Sequence, residues 1–270
     1  MQKRFGQNFL ISPGVRVKLK GLLELDSDDL VWEIGPGLGA MTHMVIDECR
    51  ELKVFEIDHG FIRFLKESFG PLPGFTIIEG DVLKSWPSAL ASGPVPDIIF
   101  GNLPYNCAAT FIGDLIEHGV KPRKMVYTIQ REVAERMVSL PGSKQYGAFS
   151  ILCALSWDVR IAGLVKPGAF YPSPEVTSAI LEMVPHGRFS GISMPAAAAL
   201  IRDLFASRRK TIRNCLANGT IAAKVGREAV LRIASGAGMD PDKRGEEIGV
   251  EAVVNAVRYL TDEFGLNIID

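Results

Sequence analysis

Four short apolar runs, each closed by glycine, acid or amide, constrain this chain more than anything else in it. Leu30–Ile34 runs into Gly35-Pro36-Gly37-Leu38-Gly39, and Leu52–Ile57 carries Glu56-Ile57-Asp58. Phe75–Ile78 runs into Glu79-Gly80-Asp81, and residues 97–101 run into Asn102-Leu103-Pro104-Tyr105. Helical stretches are expected over 40–49, 60–69 and 108–118, with further strands over 125–129, 158–165 and 177–184. Strands alternating with helices predict an α/β fold, a parallel sheet covered on both faces. In such sheets ligands gather at the carboxyl ends of the strands. That is where the glycines, acids and amide fall.

The flanking segments complete the plan. Ser12-Pro13 reads as an N-cap followed by proline at the first helical position, with Val15, Leu19, Leu22 and Leu23 on the buried side of the helix. A charged helix is expected over 131–140 and an apolar segment over 147–155. Around Pro185-His186-Gly187 the pattern gives way to Ala-rich and Arg-rich helical stretches without a strand. This predicts two domains, 1–187 and a small all-helical 188–270.

Composition narrows the classes. A length of 270 residues suits one sizeable α/β domain and a smaller one. No run approaches the ~18–20 apolar residues of a membrane span, and the basic N-terminus lacks the apolar stretch of a secretory signal. The cysteines, Cys49, Cys107, Cys153 and Cys215, lie far apart without a CxxC pair, so neither zinc nor a disulfide framework is expected. A reducing cytoplasm is the expected compartment, and with no apolar dimer stripe a monomer is expected. Net charge is −1, yet Lys3, Arg4, Arg16, Lys18 and Lys20 cluster near the start without an acid. Arg202, Arg208, Arg209, Lys210 and Arg213 form a second cluster, opposed locally only by Asp203. Two such patches suit a surface that tracks phosphates, although a charge cluster is more often a solvated face.

The strand ends suggest a nucleoside. Gly35 and Gly37 let the backbone approach a ligand, but an NAD-type fingerprint places its third glycine three positions after the second, whereas Gly39 follows Gly37 by two. Glu56 suits the two hydroxyls of a ribose, and Asp81 an adenine amine; taken singly, each reads more readily as a strand-end turn or helix cap. The set favours S-adenosylmethionine over NAD. Pro104 pushes Leu103 into an extended conformation, so that the Asn102 side chain and the Leu103 carbonyl can converge as two acceptors suited to a planar exocyclic amine; alone, the tetrapeptide reads equally as an ordinary Asn-x-Pro turn after a strand. Tyr105 is placed to stack on a base.

Together these motifs resemble the rRNA adenine N6,N6-dimethyltransferases of the small-subunit type. The resemblance spans nearly the whole chain and includes Phe5-Gly6-Gln7-Asn8-Phe9-Leu10, Glu33-Ile34-Gly35-Pro36-Gly37-Leu38-Gly39, Asn102-Leu103-Pro104-Tyr105 and Gln130-Arg131-Glu132-Val133-Ala134. It continues through Phe170-Tyr171-Pro172-Ser173-Pro174-Glu175-Val176-Thr177-Ser178 and residues 205–214. It implies a Rossmann-like class I S-adenosylmethionine-dependent methyltransferase domain followed by a small helical domain. By position, the cofactor contacts would be Asn8, Leu10, Gly35, Glu56, Asp81 and Asn102. Asn102 and Leu103 would hold the target amine, and Tyr105 and Phe170 would sandwich an extruded adenine. From the residues alone, Phe170 reads as a core aromatic beside a rigid Pro172-x-Pro174 loop. Lys3, Arg4, Arg208, Arg209, Lys210 and Arg213 would meet rRNA phosphates. Gly245 departs from the family, which more often has alanine there. Large-subunit resistance methyltransferases share the tetrapeptide but differ at Phe5-Gly6-Gln7 and at 208–214. DNA adenine methylation, a non-catalytic ribosome-assembly role and, last, an NAD oxidoreductase are the competing readings.

Overall fold

The computed structural model describes residues 8–104 and 107–265. Lys3, Arg4 and Tyr105, and the Phe5-Gly6-Gln7 segment, therefore lie outside the described residues. The chain forms two compact units, the first drawn from 1–112, 121–134 and 159–185 and the second from 113–120, 135–158 and 186–270. The chain passes into the second unit for the last time between Pro185 and His186.

The described residues form a seven-stranded sheet. Its strands are β2 (Leu30–Ile34), β3 (Glu51–Glu56), β4 (Phe75–Glu79), β5 (Ile98–Asn102), β6 (Lys124–Gln130), β7 (Trp157–Val165) and β9 (Ser178–Pro185). They lie in the order β4-β3-β2-β5-β6-β9-β7. A separate short ribbon pairs β1 (Phe9–Leu10) with β8 (Phe170–Tyr171), Leu10 opposite Phe170.

Five neighbouring strands are parallel, but β6 and β9 run antiparallel, with Thr128 opposite Ile180. The sheet is thus mixed where alternation predicted a parallel one. Alternation signals crossovers between successive strands and carries no signal for a strand that returns beside β6. The topology reverses at β2, which is followed by β3 and β4 on one side and has β5 and β6 on the other. The carboxyl ends of β2 and β5 therefore form the crevice characteristic of doubly wound sheets. Gly101 belongs to this crossing for steric reasons, since a Cβ there would stand 2.4 Å from the Ile34 carbonyl oxygen.

Helix α1 (Pro13–Leu23) follows Ser12 as expected, with Leu19 and Leu23 buried. They join a cluster with Leu10, Phe100, Val126, Phe170 and Ile180. The helix expected over 40–49 is shorter: α2 spans Thr42–Val45 and a single 3-10 turn covers Ile46–Glu48. Asp47 and Glu48 sit at its C-terminal end, where the helix dipole disfavours acids. Helix α3 (His59–Phe69) is capped by Asp58, whose side chain accepts from the Gly60 and Phe61 amides. The residue pattern did not mark α4 (Val82–Ala91), because Pro87 reads as a breaker. The helix forms around that proline because Val82, Trp86 and Ala89 are buried and Asp81 caps its start.

Helices α5 (Ala108–Glu117) and α6 (Arg131–Met137) follow β5 and β6. The second unit has no strand among its described residues beyond 185. Its helices are α7 (Ala148–Ala154), α8 (Met194–Leu204), α9 (Ile212–Ala217), α10 (Thr220–Val225), α11 (Arg227–Gly236) and α12 (Val250–Phe264). Asp203 of α8 is buried and caps α10, accepting from the Thr220 and Ile221 amides, both at 2.9 Å. Gly245 is also required here: a Cβ would stand 2.8 Å from the Leu204 carbonyl oxygen, which accounts for glycine in place of alanine.

Candidate active site

A cavity of about 670 Å³ opens at the carboxyl ends of the parallel strands. It brings together Asn8, Leu10, Gly35, Gly37, Glu56, Asp81, Asn102, Leu103 and Pro104. Gly35, Gly37 and Gly39 have φ of 69°, 56° and 75°, a left-handed conformation that side chains disfavour. A Cβ on Gly37 would also lie 3.0 Å from the Phe9 ring, so a larger residue there would have to shift that ring by a few tenths of an ångström as well as adopt the left-handed backbone.

Glu56 is buried, and its carboxylate is fixed by backbone rather than by a cation. Oε2 accepts from the Gly37 amide at 3.1 Å, and Oε1 accepts from the Ile57 and Asp58 amides, both at 2.9 Å. Burial raises its pKa despite these three bonds, which oppose the shift. Asp81 accepts from the Leu83 amide at 3.0 Å through Oδ1. The turn and cap roles weighed for these two acids are thus real, and both side chains still border the cavity.

Asn102 lies at the end of β5, where its Nδ2 donates to the Asn8 carbonyl at 2.6 Å. That bond sets the amide so that Oδ1 is its acceptor. The Leu103 amide donates to the Thr128 carbonyl at 3.1 Å, tying the tetrapeptide to β6. Phe170 is not brought to the cavity. It is 3 % exposed within the core cluster, whereas its neighbour Tyr171 is 61 % exposed.

Two groups escaped sequence reasoning. Glu33 lies within β2 and lines the cavity, 3 % exposed, with its Oε2 accepting from the Thr42 hydroxyl at 2.6 Å. Burial, reinforced by the charge of Glu56 and opposed by Thr42, pushes its pKa up to about 8. An acid inside the apolar run Leu-Val-Trp-Glu-Ile was the available signal, since a buried carboxyl needs a reason. Cys107 also borders the cavity, and burial beside Asp81 pushes its thiol up to about 11. It is therefore protonated at neutral pH and is no nucleophile.

The second basic cluster is less free than its local sequence implied. Arg208 pairs with Glu246 at 3.2 Å and donates to the Lys144 carbonyl, Arg213 pairs with Asp242 at 3.2 Å, and Arg202 pairs with Glu117 at 2.9 Å. Asp203, the acid nearest in sequence, is buried as a helix cap. Arg209 and Lys210 have no acidic partner among the described residues.

The residues present suit a nucleoside without a pyrophosphate: carboxylates for hydroxyls and amines, a glycine cradle and, among the described lining residues, no cluster of phosphate-binding cations. This is a class I methyltransferase fold. The structure of a dimethyladenosine transferase from Plasmodium falciparum superposes with a TM-score of 0.81 at 22% identity, covering 94% of this chain and 98% of that one. The 23S rRNA methyltransferase ErmE superposes with a TM-score of 0.65 at 21% identity, covering 94% and 99%. The chain belongs to the ribosomal RNA adenine dimethylase family, whose model matches residues 1–248. Ribosomal RNA small subunit methyltransferase A of Treponema denticola is 43% identical over 219 residues, covering 80% of this chain and 75% of that protein. The protein of the same name from Treponema pallidum (strain Nichols) is 39% identical over 252 residues, covering 93% and 87%.

Proposed function

We propose that this protein is an enzyme that transfers methyl groups from S-adenosylmethionine to N6 of adenosines in small-subunit rRNA, giving N6,N6-dimethyladenosine during ribosome biogenesis. Two adjacent adenosines are the target that the family implies. The observation that carries this reading is the Asn102 amide, clamped to the Asn8 carbonyl at the end of β5 in a cavity that also holds Glu56 and Asp81.

When bound, S-adenosylmethionine would supply a methyl group from its sulfonium centre, the S–CH3 bond breaking as the N–CH3 bond forms and the sulfur leaving as a neutral thioether. Glu56 would receive the ribose hydroxyls through the acceptor capacity its three amide bonds leave, Asp81 the adenine amine, and the Gly35–Gly37 backbone the remainder. The Asn102 Oδ1 and the Leu103 carbonyl would accept the two hydrogens of the target amine. That pair of bonds orients the nitrogen and favours its lone pair as it becomes tetrahedral. Positioning and fixed dipoles then supply most of the acceleration. The nitrogen gains the methyl group and releases one proton to solvent. No strong base is required, because its N–H becomes acidic as the N–C bond forms. A monomethylated amine retains one hydrogen, so the second round uses one acceptor of the two. Tyr105 would stack on the base, and Arg209 and Lys210 would be the cations most available to phosphate.

Offering methyl-labelled S-adenosylmethionine with under-methylated small ribosomal subunits, large-subunit rRNA and duplex DNA in parallel tests the assignment. Label confined to small-subunit RNA supports it. Label in large-subunit rRNA or in DNA overturns the substrate, and no label in any of the three overturns the activity.

A further inference from the structure

The cavity carries three acids, Glu33, Glu56 and Asp81, and among its described lining residues a single cation, Arg16. Arg16 stands in the first turn of α1, which holds no acid. Its Nε is buried without a hydrogen-bond partner, and its Nη2 reaches only the Ile11 carbonyl, at 3.5 Å. No carboxylate among the described residues pairs with it. A half-buried guanidinium so placed presents a planar fork to the cavity, suited to two parallel bonds with a carboxylate.

The sheet order says which end of a ligand it would meet. Glu56 ends β3 and Asp81 follows β4, whereas α1 packs against β6. Between them stand β2 and β5, so the two acids and Arg16 lie toward opposite sides of the crevice. A ligand whose adenosine end meets Glu56 and Asp81 directs its other end toward Asn102 and Arg16. S-Adenosylmethionine has two positive centres and one negative group, the carboxylate of its amino-acid end. The described lining of the cavity has the converse: several acids and one cation.

We propose that Arg16 holds the carboxylate at the amino-acid end of the cofactor and so selects ligands that carry that end. The inference rests on the methyltransferase reading above and adds a residue that the motifs did not assign. Arg16 acts in binding and touches none of the reacting atoms.

Calorimetric titration separates this proposal from that reading. The ligands are S-adenosylhomocysteine, which carries the carboxylate, and 5′-methylthioadenosine, which lacks the whole amino-acid end. Both are titrated into the wild-type protein, Arg16→Met and Arg16→Lys. Arg16→Met is expected to weaken S-adenosylhomocysteine by roughly 10- to 100-fold, the scale of a lost charge-assisted bond. Binding of 5′-methylthioadenosine stays as in wild type, and Arg16→Lys recovers part of the loss. An unchanged S-adenosylhomocysteine affinity overturns the proposal while leaving the methyltransferase reading intact. So does a parallel loss for both ligands, which marks a structural role, or weakened rRNA binding alone, which assigns Arg16 to a phosphate. A wild-type protein that binds neither ligand overturns both readings.

Discussion

Asn102 and Asn8 stand 94 positions apart in the chain, and the side-chain amide of the first donates to the backbone carbonyl of the second at 2.6 Å. The bond joins the end of a central strand to the short segment that β8 holds in place through β1. It leaves Asn102 one defined acceptor, and the proposed chemistry depends on that acceptor. Asn102→Ala removes it and should lower the single-turnover methylation rate by ~10²-fold or more. Asn102→Asp sets an oxygen against the Asn8 carbonyl and should be no better. Near-normal turnover in either variant contradicts the role.

Glu33 should leave a mark on the pH dependence of stability. Its folded pKa, about 8, lies above the unfolded value of 4.5. Between those values the folded state binds more protons than the unfolded state, so this group makes stability fall as pH rises from about 4.5 to about 8. Glu33→Gln keeps an acceptor for the Thr42 hydroxyl and cannot ionise. Denaturant unfolding across that range should show a shallower decline in the variant and a relative gain at the alkaline end. Parallel curves would mean that Glu33 titrates normally.

Gly101→Ala tests the close approach of β2 and β5. Its Cβ would stand 2.4 Å from the Ile34 carbonyl oxygen, where backbone on both sides resists movement. Overpacking of this kind costs ~1–3 kcal/mol. Gly168→Ala, with nothing within 4 Å of its Cβ, is the control and should stay within about 0.5 kcal/mol. Equal melting temperatures for the two variants would refute the steric account.

Arg209 and Lys210 should differ from their neighbours in RNA binding. Replacing both by Gln is expected to reduce the slope of log affinity against log salt by about 1–2, as one or two phosphate contacts are lost. Cofactor affinity should not change. Arg208→Gln should change the slope less, because Arg208 is already committed to Glu246 and the Lys144 carbonyl. Filter binding over a salt series distinguishes these outcomes, and identical slopes throughout return the cluster to a solvated face.

The strands that frame the crevice were legible because each is a short apolar run stopped by a residue with a distinct backbone or polar role. Asn102, Glu56 and Asp81 could be placed from those stops alone. What escaped depends on contacts between distant parts of the chain. The strand β9 was expected over 177–184, but its antiparallel direction leaves no local signature, and α4 is held together by buried Trp86 in spite of Pro87. The acids that neutralise Arg202, Arg208 and Arg213 lie 85, 38 and 29 positions away, so counting neighbouring charges misjudged the patch. Phe170 shows the converse: its residue pattern suggested a core aromatic, and it lies in the core cluster.

The most direct measurement is the mass of the nucleoside that the purified protein makes in under-methylated small ribosomal subunits, with Asn102→Ala alongside. The account predicts adenosine carrying two methyl groups on N6 from the wild-type protein and none from the variant. Unmodified adenosine from the wild-type protein, or methyl groups on any other atom, would contradict it.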